Sequence, residues 1–319
     1  MSVPAAQMQK RMSLSLVTRG RVQRPFRVTM YSPEGVGKST FAANSPSPSF
    51  IGTEDGALQL DVARFPRPQT WGEIMDAVRT LETEAHDYRT LVIDTLDWAE
   101  PLAWAKVISD APNDKGGNKP TSIEEVGGGY GKGYTAALDL WRQLLAALER
   151  MQVAKQMHVI LLAHSVLKVY RNPEGDDFDR FTMKFNEKAS GLVREWCDEL
   201  LFCNFETFAS KDSKTKRVRG VSQGNRLIYT IRRATFDAKT RHGVPDMIPL
   251  DWSEFEKAAT NRLPADPDLL IAEITAKAVQ FGGQMEKDTL ASLGRCGKDA
   301  TKLAQVLNWI DAKLNERKQ

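Results

Sequence analysis

The chain has 319 residues, 41% hydrophobic and 27% charged, which allows one large buried core plus a small appendage. No uninterrupted apolar run is long enough to span a bilayer, and Lys10 and Arg11 interrupt any apolar core of a secretory leader, so neither a membrane anchor nor export is expected. The net charge of +3 hides a segregation: residues 1–27 hold six cations and no acid, residues 211–241 hold ten cations against Asp212 and Asp237, and the remainder is acidic, a pattern that points to an anionic partner such as nucleic acid or nucleotide phosphate.

Residues 1–24 read as a basic arm, residues 25–260 as a core alternating strand and helix, and residues 261–319 as a small helical module behind the polar boundary "TNRLPADPD". In the core, "FRVTMY" (26–31), "SFIGT" (49–53), "TLVIDTL" (90–96) and "HVILLAHS" (158–165) are apolar and β-branched, as expected of strands covered on both faces. Helical patterns lie between them over Trp71–Glu84 and Tyr134–Gln152; in the second, Leu138, Trp141, Leu145 and Leu148 share one stripe. This alternation predicts an α/β fold with a mostly parallel central sheet flanked by helices. Residues 109–134 and 166–190 read as long polar loops. "LVREWCDELLFCNFE" reads as a helix leading into a strand, and "LIYTIRRATFDAKTRHGVP" as a hairpin returning past Gly243. Leu303, Val306, Leu307, Ile310 and Leu314 make a stripe in the tail. Cys197, Cys203 and Cys296 have no metal-ligand spacing and suit a reducing cytoplasm.

The segment "SPEGVGKST" has the chemistry of a phosphate cradle. Gly35 and Gly37 allow the tight turn that brings N–H groups to phosphate, Lys38 bridges the β- and γ-phosphates, and Ser39 offers a hydroxyl to Mg2+. Thr40 opens the following helix, and Pro33, Glu34 and Val36 complete the loop. Ser32 stands where the pattern G-x-x-x-x-G-K-[ST] has its first glycine. Asp94, at the end of a buried strand, is the expected second Mg2+ ligand; Asp97 is either a further one or a helix cap. The expected cofactors are therefore ATP and Mg2+.

The loop resembles the RecA phosphate loop, G-P-E-S-S-G-K-T-T, with Pro33-Glu34 as the distinctive pair. "FIGTEDGALQL" is similar to the RecA segment "FIDAEHALD" and thereby assigns to Glu54 the polarisation of the attacking water. The resemblance gives His164, at the end of "LLAHS", the part of γ-phosphate sensor, against a satisfied core histidine as the alternative. "FDAKTRHG" resembles the K-x-R-x-G element of hexameric RecA-like helicases and recombinases, in which Lys239 and Arg241 would reach a neighbouring subunit's ATP. Together with "GGGYGKGY", "FDRFTMKF" and "REWCDE", the order of motifs over residues 25–255 is most similar to phage-encoded RecA-like ATPases of the Sak single-strand annealing type.

That resemblance implies a RecA-like P-loop core, a homo-oligomeric ring or filament, and single-stranded DNA held by the two long loops. Tyr130, Lys132 and Tyr134 in the first loop and Lys168, Arg171, Lys184 and Lys188 in the second are the DNA candidates, although the tyrosines could instead pack in the core. Tyr170 and Arg180 accompany the second set. The implied activity is a DNA-stimulated ATPase acting in recombination or annealing in a bacterial host cytoplasm, with a single-strand-binding protein as possible partner. A ring helicase or helicase loader, and an ATP-driven protein-binding switch without DNA, are the alternatives.

Overall fold

The computed structural model describes residues 16–313 except 18, 20, 21, 23, 114, 115, 212–217, 261–266, 300, 301, 304, 305, 308, 311 and 312, with backbone alone at 207–211, 218–223 and 269. Most of the basic arm and Leu314 of the tail stripe therefore lie outside the described residues.

The strands are β1 (Arg27–Ser32), β2 (Pro48–Gly52), β3 (Ala63–Arg64), β4 (Thr90–Asp94), β5 (His158–Tyr170), β6 (Phe178–Met183), β7 (Glu199–Lys211), β8 (Val218–Tyr229), β9 (Lys239–Thr240) and β10 (Met247–Pro249). The helices are α1 (Lys38–Ala43), α2 (Trp71–Thr83), α3 (Leu96–Asp110), α4 (Lys132–Lys155), α5 (Glu187–Trp196), α6 (Trp252–Thr260), α7 (Pro267–Ala278) and α8 (Gly283–Cys296).

The sheet runs in the order β10-β8-β7-β1-β5-β4-β2-β3. The pairs β7·β1, β1·β5, β5·β4, β4·β2 and β2·β3 are parallel, and β8 and β10 are added antiparallel at one edge. Both faces are covered, which explains the unbroken apolar strands. Leu91, Ile93, Val159 and Leu161 point to one face, where they join Ile74 of α2, Ala99 of α3, Trp141 and Leu148 of α4, and Val193 of α5. Val28, Met30, Val92, Ile160 and Leu162 point to the other, against Phe41 of α1 and Trp252 and Phe255 of α6. Leu270, Ile274, Phe281, Leu303 and Ile310 form a separate cluster in the tail.

Local chemistry sets several boundaries. Thr70 caps α2 by accepting from Glu73 N, while the Glu73 carboxylate accepts from Thr70 N, a reciprocal capping box. α4 begins two residues earlier and ends three later than the apolar stripe suggests, because the polar Lys132 and Lys155 carry no periodic apolar signal.

Two readings are corrected. Residues 166–190 are not a loop: β5 continues to Tyr170 and turns back as β6, pairing Ser165 with Met183 through Tyr170 with Phe178, and α5 follows. Leu167 and Val169 are exposed, so this hairpin lacks the buried face that makes a strand recognisable in sequence. The segment 227–245 is also not a simple hairpin. Lys239 and Thr240 pair with Leu200 and Glu199 of β7, and the strand that returns along β8 is β10.

Candidate functional site

β1 ends at Ser32, and residues 33–37 form a turn into α1. Gly35 and Gly37 take φ of 73° and 113°, a left-handed backbone that glycine adopts without strain. Lys38 is 5% exposed, and its ammonium donates to Ser32 Oγ at 3.2 Å. Burial lowers the Lys38 pKa, opposed by the carboxylates of Asp94, Glu54 and Asp97. A buried ammonium in a glycine turn is an electropositive socket for anionic oxygen. Ser32, replacing the first glycine of the pattern, donates to Pro33 O at 2.7 Å and so keeps its side chain within the turn.

Ser39 Oγ donates to Asp94 Oδ2 at 2.7 Å. Asp94 Oδ1 is buried with no hydrogen-bond partner among the described residues. Burial raises the Asp94 pKa, while the Ser39 bond and Lys38 oppose the rise. An unsatisfied buried carboxylate oxygen beside a hydroxyl fits a hard divalent cation with oxygen ligands, and Ser39 and Asp94 are the residues that would hold Mg2+.

Glu54 follows β2. Its position is fixed by a clasp between the ends of β2 and β4: Thr53 N donates to Asp94 O, Thr95 N donates to Thr53 Oγ1 at 2.8 Å, and Thr53 Oγ1 donates to Thr95 O at 2.7 Å. Burial raises the Glu54 pKa, with His164 opposing and Asp94 and Asp97 reinforcing. Glu54 Oε1 stands 3.8 Å from His164 Nε2. Asp97, in the first turn of α3, accepts from both His164 N and His164 Nδ1 at 2.9 Å. Burial alone would raise the Asp97 pKa, but the His164 bonds hold it below the ordinary value. An ionised Asp97 can only accept, so the ring proton is on Nδ1 and Nε2 is the atom turned toward Glu54.

Glu34, Lys38, Ser39, Glu54, Asp94 and His164 are thus gathered at the C-terminal ends of β1, β2 and β4 and at the middle of β5, level with Ser32, on the side of the sheet where open α/β folds place ligands. Sequence reasoning left Asp97 between metal ligand and helix cap, and the histidine it holds is far away in the chain. The spacing of Asp94 and Asp97 across a strand-to-helix turn was the available signal.

The remaining candidates are dispersed. Lys184 Nζ is 3.9 Å from Glu34 Oε1, and its backbone N donates to His164 O, so it flanks the phosphate turn. Lys168 and Arg171 lie on the exposed β5–β6 hairpin, and Lys188 lies in the first turn of α5. Tyr134 packs edge-on against Trp104, whereas Tyr130 is 99% exposed. Lys132 Nζ donates to Gly127 O at 2.9 Å.

Lys239 Nζ donates to Arg194 O and Glu195 O. Arg241 Nη1 pairs with Asp198 Oδ1 at 2.9 Å, and Asp198 also binds Arg24 and Arg27. Although burial would raise the Asp198 pKa, these arginines depress it to about 2. Both finger candidates sit near Glu199 and Leu200, level with Val28 and Thr29 and away from the chain's own phosphate turn after Ser32.

A family model described as an AAA domain matches residues 24–242. The chain belongs to this family. The AAA domain spans every strand from β1 to β9 and contains the whole cluster just described. The chain is therefore a P-loop ATPase of AAA type, a membership that implies nucleotide binding. No curated protein matches the chain. Among the described residues, no helix is long and apolar enough to cross a membrane.

Proposed function

We propose that the chain is a single-stranded-DNA-dependent ATPase of the RecA-like Sak type, acting in phage DNA recombination by annealing or strand pairing in the host cytoplasm, and assembling so that ATP lies between subunits. The observation that carries the DNA coupling is the root of the β5–β6 hairpin. β5 leaves the site at His164, β6 returns to it at Lys184, and Lys184 N donates to His164 O. A strand pair anchored beside Glu54 transmits any rearrangement of the phosphate site to the exposed surface carrying Lys168 and Arg171.

In this reading Glu54, its proton affinity raised by burial, accepts a proton from water in line with the γ-phosphate. Lys38 and the turn amides hold the β- and γ-phosphates. His164, with its ring proton on Nδ1, offers the Nε2 lone pair to water beside the γ-phosphate. Mg2+ held by Ser39 and Asp94 would supply charge neutralisation on the phosphates. Lys239 and Arg241 are directed away from their own nucleotide and serve a neighbour's, which makes the oligomer part of the active enzyme.

The test is ATP turnover with and without single-stranded DNA at low salt, followed by a strand-unwinding assay. Stimulation without unwinding supports the proposal. Unwinding moves the reading to a ring helicase, and a DNA-independent rate moves it to a protein-binding switch.

A further inference from the structure

Gly37 is approached from outside the turn. A Cβ built on it would stand 3.0 Å from Arg226 Nη1 and 3.4 Å from Leu250 Cδ2. Arg226 belongs to β8, a strand outside the set that carries the carboxylates. Its backbone is tied by Leu250 N, which donates to Arg226 O at 3.0 Å, and its guanidinium lies 5.7 Å from the centre of the Phe205 ring. Among the described residues that guanidinium makes no hydrogen bond and no ion pair. Most other described arginines near the core are paired, as Arg27 is with Asp198, Arg180 with Asp237 and Arg241 with Asp198. An arginine fork without an acceptor, seated against a phosphate turn, is built for phosphate oxygens.

Its direction of approach selects which phosphates. In the sheet order, β5, β4 and β2 lie on one side of β1, and β7, β8 and β10 on the other. Asp94 and Glu54 come from β4 and β2 or the turn after it and mark the reacting, γ-phosphate end. Arg226 comes from the opposite side and meets the part of the ligand nearer the nucleoside.

We infer that Arg226 is a nucleotide-binding residue supplied by the same subunit, contacting the phosphates that ADP and ATP share rather than the γ-phosphate. The inference rests on residues 32–40 being a nucleotide site. The cations then have separate roles, Arg226 holding the ligand in its own subunit and Arg241 belonging to the assembly.

The test is calorimetric titration of ADP and of a slowly hydrolysed ATP analogue into Arg226→Ala, Arg226→Gln and Lys38→Ala, with steady-state turnover on the Arg226 variants. Loss of one charge-assisted contact at an exposed arginine is expected to raise both Kd values by about tenfold. KM should rise with them while kcat at saturation stays within about twofold of the parent, the signature of binding shared by ground and transition states. Arg226→Gln keeps a polar side chain without the charge and carries the same expectation, so a folding defect in the alanine variant leaves the test standing. Unchanged ADP affinity in both variants would overturn the inference. So would a loss confined to the ATP analogue with a fall in kcat, because that places Arg226 at the γ-phosphate. Undiminished ADP binding by Lys38→Ala would instead overturn the nucleotide-site reading beneath it.

Discussion

Glu54 is half-buried and Glu100 buried, and their surroundings give the two carboxylates different consequences. Glu54 looks into the site with His164 Nε2 before it, and a raised proton affinity suits it to take a proton from water. Glu54→Gln keeps the shape and removes the base, so ATP affinity should stay within a few-fold while kcat falls by about 100-fold or more. Single-turnover measurements beside equilibrium binding check this, and retained turnover would move the base elsewhere. Glu100 lies on α3, accepts from Asn186 N at 2.9 Å, and is pushed up to about 7 by burial, with Asp97 reinforcing and the Asn186 bond opposing. A carboxyl whose folded pKa exceeds its unfolded value near 4.5 holds an extra proton in the fold, so its contribution to stability declines as pH rises from that value toward 7. Glu100→Gln preserves an acceptor for Asn186 and cannot ionise. It should be more stable than the parent by about 1–3 kcal/mol near pH 8, with little difference near pH 4. Urea denaturation at the two pH values reads this directly; an equal difference at both would exclude ionisation as the cause.

At the scale of elements, the glycine-rich segment before α4 has an unusual backbone. Residues 127–131 all have positive φ, including Tyr130 at 55°, and the Tyr130 ring stands wholly in solvent. The glycines on either side accept that geometry without steric cost and present an aromatic ring that the fold itself does not use. Tyr130→Ala should therefore leave stability and DNA-free turnover unchanged while weakening single-stranded DNA binding by about tenfold, read by fluorescence anisotropy at fixed salt. Unaltered affinity would remove this loop from the DNA surface. The phosphate turn and the buried strands were legible because their chemistry is local: a glycine turn followed by Lys-Ser, and apolar runs covered on both faces. The β5–β6 hairpin was hidden because Leu167 and Val169 face solvent, with Lys168 between them. The His164–Asp97 pairing was hidden because it joins the end of one strand to a helix start contributed by another. Arg226 was hidden for a related reason, since only the antiparallel addition of β8 and β10 brings it near Gly37.

For the whole molecule, the order of strand and helix signals led to the correct α/β class, and the AAA domain accounts for residues 24–242. The positions of Lys239 and Arg241 near the start of β1 bear on assembly. Arg241→Ala subunits retain an intact phosphate turn, and Lys38→Ala subunits retain an intact finger. Each alone should have turnover reduced by about 1,000-fold if the finger acts between subunits. Mixed in equal amounts they should regain part of the activity, measured as ATP hydrolysis against mixing ratio; a mixture no more active than its two components would place Arg241 in a structural role through Asp198. The clasp of Thr53 with Thr95 bears on how the site is regulated. Because those bonds weld the ends of β2 and β4, Glu54 and Asp94 behave as one rigid jaw whose spacing is set before any ligand arrives. Neither partner binding nor polynucleotide then needs to align the two carboxylates, and little reorganisation is left for the moment of bond breaking. Regulation must instead act on what is brought to that jaw.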